Sequence, residues 1–526
     1  MLTTATALVQ KEMMSRPVRS GTLLLGALAL LFAPDRNVSA NTDADDPALV
    51  ERGAYLALAA DCTGCHTAEG GEPFAGGRPI ESPLGTLYTS NITTDPEHGI
   101  GDWTQEDFKR ALRLGINHDG EYIYPAMPYV AFTKITDEDI AALWAWQRSL
   151  EPSDNEPPEN EMTFPANIRT GLGVWQAVEF EAGRFEPDEE RDEEYNRGAY
   201  LVEALGHCSS CHTPRTALFA QDEDRRYTGA EIHGWYAPAI GPGKMSEIAD
   251  WSVDELADFL YTGETSDNQK AAGMMARVVH ESLSQMEKSD VYAMARYLKE
   301  MPVANEEVET EEVAALSPEE EEAGRSLYAG NCLGCHQSDG LGIEQGVPSL
   351  VGASSVVGRE PNTLIMIILE GHQVDETWAA MPSFANDLSS RDIALVANYV
   401  RTAWGNDGTP DVTFEKVNEL RELAEIPEGA ERATVNCPVL SGDVLEPALE
   451  ITQEQFEAAR NNSARVAELV EGYREERADS PLPEVVNALS AAYCRYVSTE
   501  GDLSAAEQQM RIAAFAGQVA VAGGGE

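Results

Sequence analysis

The sequence predicts a mainly α-helical chain of three small tandem units followed by a helical extension. Three observations carry that expectation. A five-residue pattern, Cys-x-x-Cys-His, occurs three times, within DCTGCH at 61–66, HCSSCH at 207–212 and NCLGCH at 331–336. Each copy is preceded by a short helical segment carrying a glycine and followed by an amphipathic helix that closes the unit. The stretches between units are acidic and poor in apolar residues, as solvated connectors are.

Length and charge bound the rest. A chain of 526 residues exceeds one compact core and fits three or four domains at about 150 residues each. It carries 90 acidic and 37 basic residues, a formal net charge of −53, which repels nucleic acid and anionic headgroups and excludes nucleic acid as a partner. Residues 1–40 read as an export signal. Arg16 and Arg19 precede an apolar run at 21–33, and Val38-Ser39-Ala40 supplies a small-residue cleavage pattern. That run is too short to cross about 30 Å of hydrocarbon as a helix, and no later stretch approaches the needed length. The mature chain is expected in the periplasm, soluble or peripheral to the inner membrane.

The repeated pattern takes six of the eight cysteines and three of the nine histidines. A redox Cys-x-x-Cys has no need of the histidine. A zinc site needs four ligands, so two copies would have to close on each other. Three-residue spacing serves a structural disulfide poorly. Covalent attachment of c-type haem uses every residue: two thiols add to the two vinyl groups, and the histidine turns onto the iron. Cys62, Cys65, Cys208, Cys211, Cys332 and Cys335 are thus read as attachment points for three haem c groups, and His66, His212 and His336 as iron ligands.

The first unit, 47–150, opens with Arg52-Gly53-Ala54-Tyr55-Leu56 and closes with a helix from Asp139 through Trp146. Asp102-Trp103-Thr104 offers a hydroxyl cap for a helix that stops at Gly115. A linker and packing segment, 151–194, holds Phe164-Pro165 and Trp175, expected to pack across the first two units. The second unit, 195–302, repeats the plan with Arg197-Gly198-Ala199-Tyr200-Leu201, a cap at Ser252, a stop at Gly263 and a closing helix from Asp290 through Tyr297. An acidic linker, 303–320, leads to the third, 321–405, with Gly324 and a closing helix from Asp392 through Tyr399. In each unit the glycine lets two helices approach closely, and the aromatic fills the opposite side.

The sixth iron ligand follows from the same register. Met127 and Met275 each stand twelve residues after the stop glycine, and Met381 stands ten after Gly371. A single methionine among fourteen reads best as core filler, but three at matching places read as thioether ligands. The spacing selects Met275 over Met274. His118, His280 and His372 lie near these methionines and offer a bis-histidine alternative, at offsets that do not match. Iron closed by imidazole and thioether shuttles one electron and has no open site, whereas a multihaem peroxidase would need one. Pro348, twelve residues after His336, is a candidate to hold that imidazole through its carbonyl.

Residues 406–526 contain no further haem pattern. A stripe of Phe456, Ala459, Val466, Leu469, Val470 and Tyr473 predicts a helix from Ile451, and a second starts at Pro483. Cys437 and Cys494, the two remaining cysteines, are expected to form a disulfide in an oxidising compartment.

Taken together, RGAYLALAADCTGCHTAEGGEPFAGGRPIESPLGTLYTSNITTD, YPAMPY, HCSSCHTPR with GMMARVV, and NCLGCHQSDGLG with MPSFAN and YVRTAWGN resemble one family over about residues 48–406. That family is the three-haem cytochrome c subunit of membrane-associated bacterial alcohol, gluconate, sorbitol, fructose and aldehyde dehydrogenases. The resemblance implies three tandem class I-like cytochrome c domains. It also implies a separate catalytic subunit of flavin, quinone or molybdenum type, with ubiquinone or a terminal oxidase as acceptor and no substrate-oxidising site on this chain. The extension beyond Trp404 departs from the family pattern.

Overall fold

The first unit begins with α1 (Pro47–Ala59), started by the Asp46 carboxylate, which accepts from the Ala48 amide, and by a proline in the first turn. The computed structural model describes residues 46–243, 246–302, 313–343, 346–372, 381–426, 451–460, 462–477 and 482–497, with 508, 511–512, 515–516, 518–519 and 522–523 near the C-terminus. The proposed export signal and Cys437 lie outside the described residues. After α1 come α2 (Cys62–His66), which is the first haem pattern, and an antiparallel hairpin of β1 (Pro79–Ser82) and β2 (Gly85–Tyr88). Helix α3 (Gln105–Leu114) is capped reciprocally by Thr104 and Asp107 and stops at Gly115 with φ 59°. A single turn, α4 (Tyr129–Phe132), leads into the closing helix α5 (Asp137–Arg148).

Packing of this unit continues past residue 150. The buried Asn91 amide donates to the carbonyls of Ser153 and Asn155 at 2.9 and 3.0 Å, and β3 (Glu161–Met162) adds to the edge of β2. A buried amide without those acceptors would cost free energy, so residues 153–162 are held rather than left as a free linker. Helix α6 (Gly171–Glu179) follows and buries no residue. The segment touches both units: Tyr124 Oη donates to Ala166 O, and Trp175 Nε1 donates to Leu218 O.

The second unit repeats the order with α7 (Glu193–Tyr200), a π-helical turn over Leu201–Leu205, α8 (Ser209–His212), a hairpin of β4 (Ala230–Ile232) and β5 (Trp235–Ala237), α9 (Val253–Thr262), α10 (Gly273–Glu281) and α11 (Lys288–Glu300). The π turn has a sequence cause. Tyr55 stands seven residues before Cys62, but Tyr200 stands eight before Cys208, and one extra residue in a helix is accommodated as a π-bulge.

The third unit contains α12 (Pro318–Asn331), α13 (Leu333–His336), α14 (Ser354–Val357), the strongly apolar α15 (Asn362–Glu370) and the closing helix α16 (Ser390–Thr402). Its packing extends through α17 (Phe414–Leu423), where Val417 and Leu420 are fully buried. The extension shows one difference from expectation: the apolar stripe is buried throughout, but on two helices, α18 (Gln453–Ala459) and α19 (Ser463–Glu476). Asn462 breaks the run by capping the second helix through its side chain. Helix α20 (Leu482–Val497) completes it.

In all three units the opening and closing helices cross at the glycine. A Cβ on Gly53 would stand 1.9 Å from the Ala142 carbonyl oxygen, on Gly198 1.9 Å from that of Ala293, and on Gly324 2.6 Å from that of Leu395. The expected aromatic lies beside each crossing, with Trp146, Tyr297 and Tyr399 contributing their Cβ atoms to the same contacts.

Among the described residues, buried apolar side chains form two cores. One runs through the first two units from Leu56 to Met301; the other joins the third unit to the extension, from Tyr328 to Val519. Between them, Thr363 Oγ1 bonds the backbone of Tyr236, and Asn268 binds the backbone of Ser349 and Val347. At the same joint, burial pushes the Glu247 carboxyl up to about 7, against the opposing pull of the Arg359 amide and the Arg401 charge. The folded chain thus holds this proton more tightly than the unfolded chain, whose carboxyl titrates near 4.5. Its contribution is full below that value and is lost as pH rises through 7. The melting temperature of the wild type should therefore fall relative to Glu247→Gln between about pH 5 and about pH 8; a constant difference would refute this.

Candidate functional site

Each haem pattern sits on a tight helical turn, which brings its two thiols three residues apart onto one face. Asp61, in the left-handed region at φ 49°, caps the first of these turns by accepting from the Gly64 amide. None of these six cysteines is in a disulfide. Burial pushes Cys62, Cys65 and Cys208 up to about 12 and raises Cys211 and Cys335. A redox Cys-x-x-Cys works through a depressed pKa, so these protonated, enclosed thiols do not suit it. Among the described residues, no three His, Cys, Asp or Glu side chains gather as a structural zinc site would require.

The three histidines share one arrangement. Nδ1 of His66 lies 2.7 Å from Ser90 O, Nδ1 of His212 2.7 Å from Pro238 O, and Nδ1 of His336 3.2 Å from Pro348 O. A carbonyl only accepts, so Nδ1 carries the proton and Nε2 presents its lone pair. Burial lowers the pKa of all three rings, to about 4 for His336, outweighing the carbonyl that favours the charged form. Each is a neutral imidazole with Nε2 unpartnered among the described hydrogen bonds, which is how an iron ligand is held.

Local folding explains the carbonyls. In the first two units the hairpin strands β2 and β5 lead directly into Ser90 and Pro238. In the third unit a loop closed by bonds between Ile343 and Val347 delivers Pro348, and Asn268 of the second unit grips the same loop. Of these carbonyls, only that of Pro348 was expected from sequence.

Each methionine packs against the same core as an attachment cysteine of its unit. Met127 and Met275 pack, with Cys62 and Cys208, against the core of the first two units; Met381 packs with Cys332 against the other core. Met275 lies in the first turn of α10 and Met274 beside it is 39% exposed, which supports the choice between them. Met381 exchanges two backbone hydrogen bonds with His372, and Gly371 leaves room for its carbonyl. Two of the three alternative histidines are engaged elsewhere or turned outward: His118 bonds Asp107 at 3.1 Å and stacks on Trp103, and His280 is exposed, whereas His372 is half-buried beside Met381. The structure thus supplies, for each unit, two thiols, a neutral imidazole with a free lone pair and a thioether packed on the same core. This donor set fits haem c.

Comparison with known proteins agrees. The cytochrome c family matches residues 50–151, and the family described as cytochrome c oxidase, cbb3-type, subunit III matches residues 319–400. The chain is 38% identical over 402 residues to the fructose dehydrogenase cytochrome subunit of Gluconobacter japonicus, covering 71% of this chain and 82% of that one. It is 36% identical over 417 residues to the cytochrome c subunit of the alcohol dehydrogenase (quinone) of Gluconobacter oxydans, covering 76% and 86%. It is also 42% identical over 372 residues to a nicotinate dehydrogenase subunit of Pseudomonas putida, covering 68% of this chain and only 31% of that protein. Donor atoms, helical architecture and these matches lead to one conclusion: the chain belongs to the family of cytochrome c subunits of membrane dehydrogenases, proteins that carry electrons on covalently bound haem c.

Proposed function

We propose that the chain holds three haem c groups and relays electrons from a separate dehydrogenase subunit, acting on a CH-OH or aldehyde donor, toward ubiquinone in the inner membrane. The observation that carries this reading is the threefold recurrence of one imidazole geometry, Nδ1 on a backbone carbonyl and Nε2 free. Bound haem c supplies a one-electron couple. The chain's part would be to attach and orient: the cysteine pairs would tether the group, the Ser90, Pro238 and Pro348 carbonyls set the imidazole tautomer, and Met127, Met275 and Met381 would supply thioether sulfur to the iron. Iron held by an imidazole and a thioether would have no open site for oxygen or peroxide, which favours transfer over catalysis. In this reading the protein works at the periplasmic face as a peripheral subunit. Among the described residues no helix is long and apolar enough to cross a membrane. Cys494, buried on α20, is proposed to pair with Cys437.

A second reading of the partner has its own support. The similarity to the nicotinate dehydrogenase subunit favours a catalytic subunit, of molybdenum type, that oxidises an N-heterocycle. Both readings are tested on the complex isolated from membranes. Denatured mass analysis should show three haems added to the polypeptide, and the haem bands should be reduced by one of fructose, ethanol, gluconate or nicotinate. A mass with fewer haems refutes the three-haem count, and the reducing substrate decides the partner.

A further inference from the structure

The Arg-Gly-Ala-Tyr segment occurs in both the first and second units, and haem binding accounts only for its glycine. The arginine stays within its unit. Arg52 Nε and Nη2 donate to Asp139 Oδ1 at 2.8 and 2.5 Å, and Arg197 Nε and Nη2 donate to Asp290 at 2.9 and 2.6 Å. The tyrosine leaves its unit. Tyr200 Oη donates to Asp139 Oδ2 at 2.6 Å, and Tyr55 Oη donates to Asp290 Oδ2 at 2.6 Å. Each phenol oxygen also accepts a backbone N–H from the start of the other unit's closing helix, Thr136 for Tyr200 at 3.2 Å and Glu287 for Tyr55 at 3.3 Å. Both aspartates therefore bind their own unit's arginine and the other unit's tyrosine, and the two clasps are related as the two units are.

The third unit serves as an internal control. It reads Ala323-Gly324-Arg325-Ser326, with neither the arginine nor the tyrosine at the repeated position. Arg325 pairs with Glu321 on its own helix, and Asp392 is used by Ser389 in a capping box. This unit shares its buried core with the extension; the second unit meets it through Trp235, Tyr236 and Asn268, with no tyrosine–aspartate bond among the described ones. Among the described residues the clasp joins the two haem units that share one buried core.

Both attachment turns line that seam. Helix α2 packs against α10, which carries Met275, and α4, which follows Met127, packs against the π turn that leads to Cys208. Ser282 Oγ donates to Leu58 O across the seam, and the Phe132 and His207 rings meet edge to face. Burial, reinforced by the aspartate bonds, raises both phenols far above their usual range, so they remain donors at neutral pH.

We propose that Tyr55 and Tyr200 are positioning residues for electron exchange between the first two haem units, each pinning its own attachment turn to the closing helix of the other. The proposal rests on the relay reading above; the exchange moves one electron between the two groups, with no bond or proton transferred. The test uses the full-length exported chain as wild type, Tyr55→Phe, Tyr200→Phe and the double variant. Phenylalanine keeps the ring and removes only the hydroxyl.

Wild type is expected to give a bisignate Soret circular-dichroism couplet, the mark of two haems in fixed mutual orientation. Each single variant weakens the couplet, and the double variant loses it. Electron equilibration between the first two haems after photoreduction slows in parallel, with haem count unchanged and the melting temperature lowered by about 2–4 °C per lost bond. A double variant that melts lower but keeps both couplet and rate overturns the proposal, as does a wild type with no couplet. Mass analysis showing no haem in the first two units would overturn the relay reading itself and is separately recognisable.

Discussion

Met127→Leu should remove about a third of the far-red sulfur–iron charge-transfer absorbance while leaving three haems attached to the chain. Leucine nearly conserves volume, so the core beside Cys62 is filled as before. In the proposed arrangement tethering depends on Cys62 and Cys65, and the His66 ring remains fixed by Ser90 O. What is lost is the soft sulfur that favours the ferrous state. Axial ligands move haem potentials over about 0.8 V, so a fall on the order of 0.1 V at that haem is the expected scale. Met275→Leu and Met381→Leu should each do the same at their own haems.

The histidine variants supply the contrast. His118→Ala and His280→Ala should leave the far-red band and potentials unchanged, because His118 is bound to Asp107 and His280 faces solvent. If the band survives in all three methionine variants, the ligand assignment is wrong and the electron-relay reading loses its support. If it vanishes in the histidine variants instead, bis-histidine ligation takes its place.

The chemistry of this chain was legible because it is written locally. Two cysteines and a histidine within five residues need no knowledge of distant contacts. The hydroxyls of Thr104 and Ser252 mark helix starts in the same way, because each accepts from a backbone amide only three residues ahead. The glycine crossings were legible through repetition. The hairpins were not: their strands have only three or four residues and lack sustained alternation. The His233-Gly234 turn, with φ of 46° and 82°, was the available signal. Ser90 and Pro238 were missed with those hairpins. The tyrosine clasps lay further beyond reach, because Tyr55 meets Asp290 across 235 residues and no periodicity encodes that pairing.

Gly198→Ala should be among the most destabilising single-methyl changes available in this protein. Its Cβ would stand 1.9 Å from the Ala293 carbonyl oxygen and 3.0 Å from Tyr297 Cβ, so two helices must separate. Overpacking of this kind costs about 1–3 kcal/mol and occasionally more, against about 1 kcal/mol regained from alanine's helix propensity. Gly53→Ala meets the same 1.9 Å contact, with Ala142, and should behave alike. Gly324→Ala, with its closest contact at 2.6 Å, should cost less. Gly330→Ala lies on the same helix as Gly324 and meets nothing within 4 Å, so it should stabilise by about 0.5–1 kcal/mol. Denaturant midpoints of the haem-loaded variants would establish the order. Equal midpoints for Gly198→Ala and Gly330→Ala would show that close helix approach is not what holds these units together.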